Sequence, residues 1–188
     1  MSKIRSIVKF ILNLGEFVVI LMTIGILIYL YILRPFQIDG YSMYPTFDNE
    51  QYLLTNLRAY NTKQPEYGDI VVFRSPTDAR RDYIKRVIAK PGDTVEINDG
   101  GIYVNGEQLD ESFYLKSTVT TDPGRFMDEG EDITVPYDEY FLVGDNRPGS
   151  SDSRDYGTVP IKNIYGKVIV RVWPVTQFNI IKHSSDQN

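Results

Sequence analysis

A serine and a lysine are the residues of this chain best placed to do chemistry. Ser42 opens the run Ser42-Met43-Tyr44-Pro45-Thr46, and Lys85 lies within Tyr83-Ile84-Lys85-Arg86-Val87-Ile88-Ala89. If the second run is a strand, its side chains alternate between faces, so Tyr83, Lys85, Val87 and Ala89 share one and Ile84, Arg86 and Ile88 the other. A lysine among apolar and aromatic neighbours is desolvated, which disfavours the ammonium form and lowers its pKa. A neutral lysine can take the proton of a serine hydroxyl, and Ser-Lys pairs are one form of the nucleophile–base arrangement. The plainer alternative is a surface lysine whose stem lies on the strand while its head reaches water.

A third segment bears on that choice. Gly144-Asp145-Asn146-Arg147-Pro148-Gly149-Ser150-Ser151-Asp152-Ser153-Arg154 follows the apolar stretch Tyr140–Val143 and is dense in short polar side chains. Read plainly, it is a turn whose Asx and Ser groups satisfy nearby backbone. Read functionally, it orients the lysine and braces the site, with Arg86 pairing to Asp152 to hold the lysine-bearing strand in place.

Composition removes other chemistries. There is no cysteine, which excludes disulfides, thiol catalysis and cysteine-based zinc sites. The single histidine, His183, lies in a polar C-terminal stretch, a place with little to order it. A base for Ser42 is therefore expected to be something other than histidine. The formal net charge is −5 at pH 7, and the residues beyond Lys3, Arg5 and Lys9 are more acidic still. That argues against nucleic acid, whose binding rests on basic patches. No cofactor and no metal is expected.

The elements that must position these residues begin with an apolar run, Phe17–Leu33. As a helix it would be roughly 25 Å long, at the short end for a hydrocarbon core, and residues 10–16 can extend it. Lys3, Arg5 and Lys9 precede it and only Arg34 follows closely, so residues 1–16 are expected to be cytoplasmic, 17–33 to span the membrane and 34–188 to face outward. A cleavable signal peptide would need a small-x-small site after the run. The sequence there is Arg34-Pro35-Phe36-Gln37-Ile38-Asp39, so a retained anchor is expected. An extended chain covers at most about 3.3–3.6 Å per residue, placing Ser42 within roughly 30–35 Å of the helix exit.

Beyond the anchor, short β-branched and aromatic runs alternate with turn residues, which predicts an all-β domain. Strands are expected over 51–54, 69–74, 83–89, 94–97, 102–104, 140–143, 167–173 and 178–181, with a small β insertion over about 97–136. Asn98-Asp99-Gly100-Gly101 and Asn105-Gly106 are hairpin turn signals. The acidic stretch Asp128-Glu129-Gly130-Glu131-Asp132 is expected to be a solvated loop.

Taken in order, Ser42-Met43-x-Pro45-Thr46, Gly68-Asp69-Ile70-Val71-Val72, Tyr83–Val87 with Pro91-Gly92-Asp93, and Gly144–Arg147 with Ser150-x-Asp152-Ser153-Arg154 resemble the ordered motif boxes of type I signal peptidases. The resemblance implies a twisted antiparallel, partly closed β barrel that removes signal peptides from exported preproteins. Ser42 would be the nucleophile and Lys85 the general base. Ser150 would hydrogen-bond the lysine, and Asp152, Arg86 and Arg154 would form a structural charge network. The Ser42 backbone N–H would help stabilise the developing oxyanion. Some family members carry a serine two positions before the nucleophile; Gly40 stands there in this chain, as in Gram-positive members.

Family analogy further implies that substrate binds extended beside the segments near Ser42 and Tyr83. Ile38, Met43 and Ile84 would line shallow pockets for small side chains. Val168, Val170, Trp173 and Phe36 are candidates for a lipid-facing surface, with core packing as the alternative. The implied partners are preprotein signal peptides, the lipid bilayer and the general secretion machinery. Two rivals remain: a self-cleaving Ser-Lys peptidase, and a non-catalytic membrane-tethered homologue acting in pilus or secretion assembly.

Overall fold

The computed structural model describes residues 2–182, so His183 lies outside the described residues. The chain opens with one helix, α1 (Ser2–Tyr31), which is long and apolar enough to cross a membrane. It starts well before the apolar run because Ile4, Ile7, Val8, Phe10, Ile11 and Leu12 carry the apolar character back almost to the first residue. It also stops earlier than the run does. Leu33 already belongs to β1 (Leu33–Gln37), which pairs with β2 (Tyr52–Asn56) from Leu33↔Asn56 to Gln37↔Tyr52. The residue before a proline is disfavoured in the helical region, and an edge strand tolerates the missing N–H of Pro35.

The remaining strands are β3 (Ile70–Arg74), β4 (Asp82–Ala89), β5 (Thr94–Asn98), β6 (Gly101–Val104), β7 (Glu107–Gln108), β8 (Ile133–Thr134), β9 (Glu139–Val143), β10 (Val159–Pro160), β11 (Ile164–Trp173) and β12 (Asn179–Ile180). A short α-helix, α2 (Ser153–Tyr156), lies between β9 and β10. The large sheet runs β1-β2-β11-β3-β4-β9-β10 with β12 on β11, all antiparallel, and curls into a half-barrel. A second sheet, β7-β6-β5-β8, is the insertion. Its first hairpin turns at Asp99 and Gly100, both at positive φ, and the next at Asn105 and Gly106, again both positive. Those are the backbone angles that the Asn-Asp-Gly and Asn-Gly signals call for.

The pattern of burial follows from this layering. β3 is buried along Ile70–Phe73 on both faces, so it reads as a continuous apolar run rather than an alternating one. Ile70 and Val72 join Leu53, Met43, Phe47 and Val168 in one cluster, while Val71 and Phe73 join Val87, Tyr140, Leu142 and Val159 in another. A third cluster sews the two sheets together: Ile88, Ala89, Phe141 and Val143 pack against Val95, Ile97, Ile102 and Val104. The two-residue strands β7, β8, β10 and β12 are too short to show an alternation in sequence.

β4 carries the lysine. From Asp82 to Arg86 it pairs with β3, whereas β9 pairs only with Arg86, Val87 and Ala89. Past Val143, β9 ends and the chain turns away, so the first half of β4 has an open edge. Lys85 sits where the sheet opens. β11 is bent between Ile164 and Gly166, where its register against β3 shifts. A Cβ on Gly166 would lie 2.3 Å from the Asn56 carbonyl oxygen of β2. Gly166→Ala is therefore expected to destabilise the fold by about 1–3 kcal/mol, the usual range for overpacking, read as a lower urea midpoint with unchanged slope.

Candidate active site

Ser42 lies in the connection between β1 and β2, in a tight coil closed by Tyr44 N–H to Tyr41 O at 3.0 Å and Phe47 N–H to Met43 O at 2.9 Å. Met43 and Phe47 are both 1% exposed and nail the coil into the core. Gly40, at φ +109, takes a backbone shape that a side chain would resist; its N–H donates to Asn49 Oδ1 at 2.8 Å. From the other side, Asn146 N–H donates to Ser42 O at 3.1 Å and Asn146 Nδ2 to Tyr41 O at 3.0 Å. Gly144 permits this closeness. A Cβ there would sit 2.5 Å from Ser42 O and 2.1 Å from Ser150 Oγ.

Lys85 is only 3% exposed. Its Nζ is 2.8 Å from Ser42 Oγ and 2.9 Å from Ile84 O, and it lies 5.3 Å from the centroid of the Tyr83 ring. Burial pushes its pKa down to about 8, against the opposing pull of Asp152 and Asp145 and with a smaller contribution from Arg154. Near neutral pH a useful fraction of the amine is thus unprotonated and within reach of the hydroxyl it would deprotonate.

The carboxylates behind the lysine are each held by a buried arginine. Arg86 Nε and Nη2 grip Asp145 at 2.9 and 2.7 Å, and its Nη1 donates to Gly68 O at 3.0 Å. Thr46 Oγ1 donates to the same carboxylate, tying the Ser42 coil to it. Arg154 Nε and Nη2 hold Asp152 at 2.8 and 2.9 Å. Asp152 also caps α2 through Arg154 N–H and accepts from Gly144 N–H at 2.9 Å. A cleft of about 290 Å³ opens beside Ser42 and Lys85, between Phe36–Tyr41 on one wall and Asp82–Ile84 on the other.

The family model described as "Signal peptidase, peptidase S26" matches residues 11–173. The chain belongs to that family. It is 34% identical over 94% of its length to the probable signal peptidase I-2 of Synechocystis, covering 79% of that protein. It is also 34% identical to signal peptidase IB of Staphylococcus aureus, over 93% of each chain. The crystal structure of a signal peptidase I from Enterococcus faecalis shares 32% identity, with a TM-score of 0.46 over 56% of this chain and 97% of that one. The family is one of serine endopeptidases.

Within this signal peptidase fold, several expectations need correcting. Arg86 does not pair with Asp152. It lies opposite Val143 in the β4–β9 register, and Asp145, two residues on, is delivered straight to it, while Asp152 is taken by Arg154 of its own helical turn. Ser150 makes no hydrogen bond to Lys85: its Oγ is buried with no partner among the described residues, directly beside Gly144. Ile38 and Ile84 do line the cleft, whereas Met43 is absent from its lining and serves as core beneath the coil. Of the lipid-surface candidates, Val168 is fully buried core, Val170 and Phe36 are partly covered, and Trp173 is exposed. Sequence reasoning gave Asp145, Thr46 and Asn146 no role, although all stand inside the motif runs.

A depressed lysine pKa carries a stability signature. At pH 7 the amine is mostly protonated in the folded chain and fully so in the unfolded one, and for a gap between 10.5 and about 8 folding bears a cost of about 3 kcal/mol. Between those two values the folded protein releases the proton while the unfolded chain keeps it, so the cost fades as pH rises. Lys85→Met is expected to raise the melting temperature at pH 7, with the advantage shrinking toward pH 10. An offset independent of pH would contradict the depressed amine.

Proposed function

We propose that this chain is a membrane-anchored signal peptidase that cleaves the signal peptides of exported preproteins with Ser42 as nucleophile and Lys85 as general base. The observation that carries the reading is the 2.8 Å approach of a buried lysine to the serine hydroxyl. Neutral Lys85 accepts the Ser42 proton as Oγ attacks the scissile carbonyl. The resulting ammonium returns that proton to the departing amine, leaving an acyl ester on Ser42. Lys85, neutral again, takes a proton from water as it attacks the ester and passes that proton to Ser42 Oγ as the acyl C–O bond breaks, releasing the acid and restoring the serine. The Ser42 N–H supports the oxyanion in both steps; Gly40 has no side chain to add.

The cleft suits an extended peptide ending in small residues. Its apolar lining is Phe36, Ile38, Leu53, Val72 and Ile84, and the open edge of β4 can accept a strand. β1 forms one wall and follows α1 directly, so with α1 in a bilayer the site lies close to the membrane surface. Lys3, Arg5 and Lys9 in the first turns of α1 support a reading with its start in the cytoplasm and the β domain outside a bacterial cell membrane, where preproteins would arrive from the secretion machinery. A non-catalytic homologue has no use for a desolvated lysine against a serine.

Ser42→Ala and Lys85→Arg are each expected to abolish processing of a preprotein, and a serine-directed acylating inhibitor is expected to add its acyl mass to Ser42. Normal processing by either variant would sink the assignment. Below the lysine pKa, kcat/KM should climb about tenfold per pH unit and level off past about 8; a flat profile from about pH 6 to 9 removes Lys85 as the base.

A further inference from the structure

Two guanidiniums of the catalytic half are gripped by one short segment of the insertion. Arg147, whose side chain is 1% exposed, directs Nη1 and Nη2 to the two carboxylate oxygens of Glu111 and also donates to Thr121 Oγ1. Three residues along from Glu111, the Tyr114 ring centroid lies 3.8 Å from the Arg86 Cζ, and its hydroxyl donates to the Glu111 carboxylate. Phe113 packs edge-on to Tyr114 with its own ring 5.7 Å from the same guanidinium. Arg86 is the partner of Asp145. Arg147 in turn donates Nε to Gly144 O at 3.2 Å, and its own carbonyl accepts from Arg154 Nη2 at 2.8 Å. Glu111 and Tyr114 thus close on two arginines that hold the groups behind Lys85.

We propose that Glu111 and Tyr114 are positioning residues for the Ser42–Lys85 pair, holding Arg86 on Asp145 and Arg147 on the Gly144 turn so that the carboxylates behind the lysine stay neutralised. A buried guanidinium stacked on an aromatic face and paired in bidentate fashion has one geometry available. Released from Tyr114, Arg86 can tilt away from Asp145, whose charge then falls more fully on the amine. The groups facing Lys85 are Asp145, Asp152 and Arg154 from the loop, Tyr83 from its own strand and Ser42 across the contact, with Asp39 and Asp82 at the cleft mouth. An unbalanced Asp145 raises the lysine pKa, so less of the base is free at neutral pH.

This inference rests on Lys85 being the base, and pH profiles on the full-length enzyme separate the two. In Tyr114→Leu the rising limb of kcat against pH is expected to move up by about one unit, costing about tenfold at pH 7 and little at pH 10, with KM nearly unchanged; in Glu111→Gln, which also takes a negative charge away from Arg147, the limb is expected to move up by less than in Tyr114→Leu. Tyr114→Phe keeps the ring over Arg86 and is expected to keep more of the wild-type profile than Tyr114→Leu. If Tyr114→Leu does not fold, Tyr114→Met, which keeps bulk but removes the ring over Arg86, carries the comparison. A wild-type profile with no rising limb overturns the base assignment itself. A wild-type limb near pH 8 with variants that lose activity equally at every pH, or lose none, overturns the positioning role alone.

Discussion

Everything in the site depends on keeping one amine out of water without letting nearby carboxylates restore its charge. Burial of Lys85 works against the ammonium, and full burial can shift such a group by several pKa units. A single unscreened carboxylate a few ångströms away could reverse that, since such a pair at an effective dielectric near 20 is worth about 4 kcal/mol. Asp145 and Asp152 are both fully buried, so their charge cannot be left to solvent. Each is matched by its own arginine, and those arginines are buried in turn, so their remaining donors go to backbone carbonyls at Gly68, Arg147 and Asp122. The charge network is the condition under which burial of the lysine has its effect.

The carboxylates are there because they hold backbone. Asp152 receives Gly144 N–H and caps α2, and Asp145 receives Thr46 from the serine coil. Three stretches distant in sequence therefore meet on two side chains: the coil at Ser42, the strand at Lys85 and the loop after β9. The topology makes this meeting short-range in space. β4 pairs with β3 on one side and with β9 on the other only in its second half, so the loop leaving β9 passes Lys85 as the sheet opens. Gly144, without a side chain, lets that loop press against Ser42 O.

Much of this is legible in the sequence. Alternation from Tyr83 to Val87 puts Lys85 on the face of Tyr83, and the register sets Tyr83 opposite Phe73 and Lys85 opposite Val71; an irregularity between Val87 and Ala89 then breaks it, so that Ala89 packs with Ile88 instead of with Val87. The hairpin at Asp99-Gly100 follows from residues that tolerate positive φ. What the sequence hides is pairing at a distance. Alternation says which face Arg86 occupies, but Asp145 and Asp152 are both plausible partners until the β4–β9 register chooses between them. Glu111 and Tyr114 lie in an aperiodic stretch between β7 and β8, where no pattern reveals that they close on Arg147 and Arg86. Leu33 looks like the end of an apolar helix because strand and helix interior share the same residues; the pairing with Asn56 decides it.

The join between α1 and β1 couples the helix mechanically to the cleft. Ile32 O accepts from Leu57 N–H at 2.9 Å, and Arg58 Nε donates to Tyr31 O at 3.1 Å, so the last turn of the helix is fastened to the far end of β2. β1 continues from there without a loop and forms the cleft wall from Phe36 onward. An anchor joined by a long flexible linker would let the cleft tumble relative to the bilayer. Here the direction of α1 and the line of the cleft are coupled through a few residues of paired strand. On the function proposed above, with α1 in a bilayer, a substrate held by its own apolar helix in that bilayer would meet the cleft in a restricted set of orientations, which lowers the entropy lost in bringing the scissile carbonyl to Ser42.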